Sequence, residues 1–229
     1  MWLVRSRLKR HSAGLLVLLC ALLAAAPALA EDGSQPASRY GFAAGAFVSQ
    51  FIGGDSGPVT PLSETQYPDT FSTGGGLRLE AYRNYDSGWR GQIGLVYASW
   101  SGKFFTGGEF PAGAQFGDFD LYGIYVGGRY PFGRADGFQP YVLGNLGVVH
   151  LSSLTVVSGG TTIPYWSGNW RDYLEIGAGV AQRMGSGAIT VDVRLQTFGA
   201  PEPATYPIAA ATSGSSLLLG VGYAWDVRR

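Results

Sequence analysis

Hydrophobicity in this chain alternates with a period of two, the signature of a strand with one apolar and one polar face. The cleanest case sets Ile189, Val191, Val193 and Leu195 against Thr190, Asp192, Arg194 and Gln196. Near the C-terminus Leu217, Leu219, Val221, Tyr223 and Trp225 oppose Gly220, Gly222, Ala224 and Asp226. Leu174, Ile176, Ala178 and Val180 oppose Arg171, Tyr173, Glu175, Gly177 and Gly179. Ile93, Leu95 and Tyr97 oppose Arg90, Gln92, Gly94 and Ala98, while Leu77, Leu79 and Ala81 oppose Arg78, Glu80 and Tyr82. In 138–152 the parity conflicts. If Tyr141 and Leu143 take the apolar face, Asn145 joins them; if Val142, Leu146 and Val148 take it, His150 does. A bulge near Gly144 and Asn145 would reconcile either choice.

The links between eight such segments are alternately short and long. Asp86-Ser87-Gly88, residues 133–137 and Gly185-Ser186-Gly187 are short, whereas 54–72, 103–117, 153–169 and 199–214 are long. Short links at one end and long ones at the other imply an up-and-down sheet, the shape of an outer-membrane barrel. The fold predicted is all-β, an eight-stranded antiparallel up-and-down transmembrane β-barrel. A soluble barrel would hide its bulky face around a ligand, and a membrane barrel turns that face to lipid. Gly and Ala concentrate on the polar face, as crowding in a narrow lumen demands, so the polar face is predicted to point inward. Aromatics collect at both strand ends, where Trp and Tyr meet the membrane interfaces. Tyr40, Phe42, Trp89, Tyr130, Phe132, Phe138, Tyr223 and Trp225 sit by the short links; Trp100, Phe104, Phe105, Tyr165, Trp166, Trp170 and Phe198 sit by the long ones.

Residues 1–30 read as a cleavable signal peptide: Arg5, Arg7, Lys9 and Arg10 precede an apolar run, and Ala28-Leu29-Ala30 ends it. Cleavage is predicted before Glu31, followed by a short periplasmic segment, 31–38, and the barrel, 39–229. The remainder holds twelve basic and sixteen acidic residues, no Cys and one Lys, Lys103. It therefore has no disulfide framework and no basic patch, which argues against nucleic acid. No later segment is a transmembrane-helix candidate.

The stretch from Tyr122 through Arg129-Tyr130-Pro131-Phe132, a turn, and then Phe138-Gln-Pro-Tyr-Val-Leu-Gly-Asn-Leu-Gly147 resembles the central hairpin of small outer-membrane barrels of the OmpA, OmpX and opacity-protein type. Gly220-Val-Gly-Tyr223-Ala-Trp225 resembles their C-terminal assembly signal, which the barrel-assembly machinery reads, although the chain continues Asp226-Val227-Arg228-Arg229 where a Phe is usual. The resemblance implies residence in the outer membrane of a Gram-negative bacterium, reached through the periplasm, among outer-membrane lipid and lipopolysaccharide.

An eight-stranded barrel is only wide enough for side chains to fill. The charges predicted to face its lumen are Arg78, Glu80, Arg90, Arg129, Arg171, Glu175, Asp192, Arg194 and Asp226, which must pair in a low-dielectric interior. Such a plug leaves little room for a narrow channel. Catalytic material is scarce, with His150 the only His beyond the leader and no metal or cofactor motif. His150-Leu151-Ser152 resembles the His-x-Ser pair of outer-membrane lipid A deacylases, in which a Glu completes the arrangement and the His serves as general base. Here no Glu follows within twenty residues, and Glu175 has lumen parity. The reading is a non-enzymatic barrel with a structural or surface-interaction role through its long loops. Those loops carry Asp55, Glu64, Asp69, Glu109 and Asp118, carboxylates that would suit Ca²⁺, and the aromatics Tyr67, Phe110, Tyr165, Trp166 and Tyr206, predicted exposed.

Overall fold

The computed structural model describes residues 40–56, 65–85, 88–107, 110–132, 137–204 and 211–226. The predicted leader, the segment 31–38 and most of the first two short links lie outside the described residues. In chain order the elements begin with β1 (Tyr40–Gly53), a one-turn helix α1 (Tyr67–Thr70), β2 (Gly74–Asn84), β3 (Arg90–Trp100) and β4 (Phe104–Gly107). Next come β5 (Phe110–Phe116), β6 (Phe119–Pro131), β7 (Phe138–Leu151), β8 (Leu154–Ser158) and β9 (Thr161–Ser167). The chain finishes with β10 (Asn169–Met184), β11 (Gly187–Phe198), β12 (Glu202–Pro203) and β13 (Gly214–Asp226).

Eight of these strands close a barrel in the order β1-β13-β11-β10-β7-β6-β3-β2, every pair antiparallel. The first and last barrel strands seal it, from Gly41 opposite Asp226 to Gly53 opposite Ser215, with one register shift between Phe51 and Gly53. Closure pairs every backbone group that would otherwise form an edge, the condition for spanning a bilayer with strands. Leu79, Leu95, Ile124, Val126, Leu146, Ile176, Val193 and Leu219 are exposed on the outside, and Arg78, Glu80, Gln92, Glu175, Asp192 and Arg194 are buried within. The third short link turns through Gly185 at φ +59, a backbone region open to glycine at no steric cost.

The conflict in 138–152 is settled without a bulge, because β7 pairs with β10 in unbroken register from Phe138 to Leu151. Val142, Leu146 and Val148 face outward; Tyr141, Leu143 and Asn145 are buried inside. Asn145 decides the matter, since its amide finds Glu175 and Gln92 only in the lumen. His150 then faces out near the long-loop end, stacked on Tyr122 at 4.9 Å and edge-on to Trp170 at 5.4 Å.

Inward glycines make room for large neighbours. A Cβ on Gly147 would lie 2.2 Å from the Ile124 carbonyl oxygen and 2.8 Å from Tyr125 Cα. Gly147 pairs with Tyr125 on one side and Tyr173 on the other, and those two rings approach to 6.2 Å. Gly147→Ala should therefore cost about 1–3 kcal/mol through overpacking. An unchanged urea midpoint for the refolded variant would contradict this packing.

The long links are not simple loops. β4, β5, β8, β9 and β12 form a second sheet in the order β12-β9-β8-β5-β4. That order repeats, strand for strand, the barrel order β11-β10-β7-β6-β3. Between this sheet, α1 and the barrel mouth lies a hydrophobic core that includes Phe51, Tyr67, Phe71, Trp100, Phe116, Phe119, Tyr165, Trp166 and Phe198. Trp100, Phe198, Tyr165 and Trp166 therefore do not belong to a membrane girdle, and Tyr67, Tyr165 and Trp166 are not exposed loop aromatics. All are at most 2 % exposed. The inward parity of β3 and β11 carries Trp100 and Phe198 into the mouth, where burying an aromatic ring is worth far more than an interfacial position. The aromatics at the lipid surface near that end are Tyr97, Tyr122 and Trp170, with Tyr40, Phe42, Trp89 and Phe138 at the other. The Phe110 side chain and Tyr206 lie outside the described residues.

Candidate functional site

Six of the nine charged residues assigned to the lumen converge in its interior. Arg194 forks onto Asp192, with Nε to Oδ1 at 2.6 Å and Nη2 to Oδ2 at 2.9 Å, and its Nη1 donates to Glu175 Oε1 at 2.9 Å. Arg78 pairs with Glu175 from the opposite wall. Glu80 lies 3.8 Å from Arg194 and 3.9 Å from Arg129. Tyrosines complete the carboxylate shells: Tyr173 donates to Glu175 at 2.7 Å, Tyr125 to Glu80 at 2.7 Å and Tyr141 to Asp192 at 2.8 Å. Asn145 adds a further donor to Glu175 at 2.8 Å. The guanidiniums of Arg78 and Arg129 also lie over the Phe47 and Tyr141 rings, at 4.6 and 4.1 Å. Tyr125, Tyr141 and Asn145 join these six charges without having been among the residues read as a lumen network, because a tyrosine or asparagine reads as neutral until a carboxylate stands opposite.

The other three residues lie elsewhere. Arg90 and Asp226 meet at Tyr82 near the short-turn end: Arg90 lies over the ring at 3.8 Å and donates to Asn84, while the Tyr82 hydroxyl donates to Asp226 at 3.0 Å. Arg171 is not part of the lumen layer. It reaches the long links instead, donating to Glu202 at 2.8 Å and to the Ala200 carbonyl at 2.5 Å. Its position at the start of β10, four residues beyond Glu175, puts it past the level where the lumen carboxylates sit.

Two layers of different chemistry thus fill the barrel. The ionic layer leaves a cavity of about 30 Å³ against the small-residue wall of Ala43, Gly45, Gly220 and Gly222, space on the scale of water. Toward the long-loop end the aromatic layer takes over, with Phe51 within 4.8 Å of Trp100 and 4.9 Å of Tyr67. A conducting path would have to cross both.

The four long links are tied into one body. β5 pairs with β8 and β9 with β12. Lys103 Nζ donates to the Pro68 carbonyl at 2.6 Å, and Asp55 and Thr212 exchange hydrogen bonds at 2.7 and 2.9 Å. Tyr67 donates to the Thr212 carbonyl; burial first, then the Asp55 charge, hold its hydroxyl well above the ordinary phenol range.

His150 and Ser152 are not joined by a hydrogen bond in the structure. Ser152 Oγ accepts from the Asp120 backbone N–H at 2.9 Å, and His150 is held between Tyr122 and Trp170 with Nδ1 buried and without a partner. Tyr223 and Trp225, the aromatics of the candidate assembly signal, pack edge-on at 4.9 Å, and Tyr223 donates to the Met184 carbonyl at 2.8 Å. Gly220 sits on the inward face of the same strand, beside Asp192.

A closed eight-stranded antiparallel barrel, apolar toward its surroundings and ion-paired within, defines the class. The chain is an outer-membrane β-barrel protein of the Gram-negative envelope, since only lipid can cover such an exterior. Among solved structures it is similar to Neisserial surface protein A, with 16% sequence identity, a TM-score of 0.52, and coverage of 84% of this chain and 100% of that one. It is also similar to the attachment invasion locus protein Ail of Yersinia pestis, with 14% identity, a TM-score of 0.45, and coverage of 83% and 100%. OprG of Pseudomonas aeruginosa shows 14% identity and a TM-score of 0.45, over 86% and 100% of the two chains. No protein-family model and no curated protein matches the sequence.

Proposed function

We propose that this protein is a non-enzymatic outer-membrane barrel whose role is surface interaction through a folded platform at its long-loop end. The observation that carries the reading is the single packed body made by all four long links over a lumen filled by side chains. Loops that serve only as connections do not need a buried core; a rigid surface presented to a partner gains affinity from being ordered beforehand. In this reading the short turns face the periplasm and the platform faces outside. The leader 1–30 directs export, and Gly220, Tyr223 and Trp225 engage the assembly machinery. Arg78, Glu80, Arg129, Glu175, Asp192 and Arg194 hold the barrel closed, with Arg90 and Asp226 securing its periplasmic mouth.

Purified protein should remain electrically silent in planar bilayers at high load, and its expression should leave the lipid A acylation pattern unchanged by mass spectrometry. Stepwise conductance would replace the reading with a channel. Loss of an acyl chain that Ser152→Ala abolishes would replace it with a hydrolase.

A further inference from the structure

The sheet formed by β4, β5, β8, β9 and β12 prolongs one side of the barrel wall, because its strands stand above β3, β6, β7, β10 and β11 in the same order. Its burial alternates as the wall's does. Ala114, Phe116, Leu154 and Val156 turn to the aromatic core, and Gln115, Thr155 and Val157 between and beside them are exposed. Register aligns Phe104, Gln115, Val157 and Thr162 in one row across four strands of the outward face. All four are exposed, Phe104 at 63 %.

Below this row, on the same outward surface, Tyr97, Tyr122 and Trp170 mark the edge of the hydrocarbon. The row therefore stands beyond the acyl chains but flush with the lipid-facing wall. Its chemistry fits neither hydrocarbon nor bulk water. A face within the acyl layer would be aliphatic throughout, and a face in open solvent would be rich in charge. Among the described residues, the outward positions of β4, β5, β8 and β9 are uncharged. They offer hydroxyl and amide groups that donate and accept, and one open aromatic ring.

We infer that this face packs against the sugars of the lipopolysaccharide leaflet. The Phe104 ring offers an apolar surface to the C–H face of a sugar. The Thr162 hydroxyl and the Gln115 Oε1 offer partners for its hydroxyls, the Gln115 Nε2 being held by the Gly102 and Phe116 carbonyls at 3.0 and 2.9 Å. Among the described residues of β4, β5, β8 and β9 the face carries no cationic side chain, and at its β12 edge Arg171 is taken up by Glu202. This directs the face to neutral sugar rather than to phosphate, normally held by Arg or Lys. Continuity with the lipid-facing wall favours this occupant over a soluble protein. The inference rests on the proposed placement of the long-loop end outside the cell.

The test uses protein purified from outer membranes, which without its leader has no native Cys, carrying either Val157→Cys or Thr162→Cys. Each variant is reconstituted in nanodiscs containing lipopolysaccharide with its core sugars, lipid A alone, or phospholipid alone. Labelling by a membrane-impermeant maleimide should slow about tenfold or more, equivalent to about 1.4 kcal/mol of protection, only in discs with core sugars. Equal labelling in all three, with slow amide exchange in β8 and β9, overturns the inference while leaving the platform intact. Protection that grows with protein density in phospholipid discs assigns the face to a second copy and likewise overturns it. Fast amide exchange through β8 and β9 in every disc removes the platform, and the proposed function falls with it.

Discussion

Glu175→Gln is expected to lower the stability of the folded barrel by about 3–5 kcal/mol, the cost of leaving buried charge uncompensated. Glu175 is fully buried and accepts hydrogen bonds from Arg78, Arg194, Asn145 and Tyr173. An amide in its place cannot neutralise Arg78, for which Glu175 is the ion-pair partner, and Arg194 would keep Asp192 and the more distant Glu80. The barrel wall and the aromatic layer bury both partners and leave beside them a cavity of only about 30 Å³, so water screens these guanidiniums far less than those of an ordinary surface pair. The contrasting variant is Arg171→Gln. Its partner Glu202 is well exposed, so breaking that pair should cost no more than about 1 kcal/mol. Reversible urea titrations of both refolded variants, read by Trp fluorescence and by heat-modifiable gel migration, measure the difference. Equal midpoints for the two would mean that the ionic layer contributes nothing beyond a surface pair.

Phe51→Ala is expected to remove about 3–5 kcal/mol, the range for truncating a buried Phe, and to remove it locally. The Phe51 ring lies within 6.4 Å of Tyr67, Phe71, Trp100, Phe119 and Phe198, so its loss opens a cavity at the junction between the barrel mouth and the long links. The membrane-spanning hydrogen bonds are untouched by that cavity. Amide exchange should accelerate in β8 and β9 while mid-barrel strands keep their protection, as expected where stability is unevenly distributed. Equal acceleration throughout would show instead that the platform and barrel unfold as one unit.

Much of the fold was legible in the chain because a barrel wall is a one-dimensional problem. Ile189, Val191, Val193 and Leu195 reveal their face by parity, and no distant residue can alter that without breaking the pleat. The same rule marked Arg78, Glu80, Glu175, Asp192 and Arg194 as inward-facing. It failed in 138–152, where both parities contain a polar residue. The outcome there depended on Glu175 and Gln92 standing opposite Asn145, partners from other strands that periodicity in β7 cannot show.

The long links were harder to read for a related reason. Residues 103–117 and 153–169 are rich in Gly, Ser, Thr and Pro, composition that signals turns, and their strands are short. Leu154 and Val156 alternate with Thr155 and Val157 over too few residues to separate a strand from a loop. Tyr67, Tyr165 and Trp166 resembled exposed loop aromatics because nothing local indicates that three other links converge on them.

The sequence by itself determined the barrel: its strand number, its antiparallel order and the lipid-facing residues of those strands whose parity is unambiguous. Those properties follow from backbone hydrogen bonding and a two-residue repeat, both local. Only the tertiary structure decided that Arg171 leaves the lumen, that Asn145 turns in, and that three of the long links fold into one sheet which, with the helix of the fourth, closes over an aromatic core. Those outcomes depend on which side chains meet across closed strands, and burial free energy is set by that meeting rather than by the order of residues along any one of them.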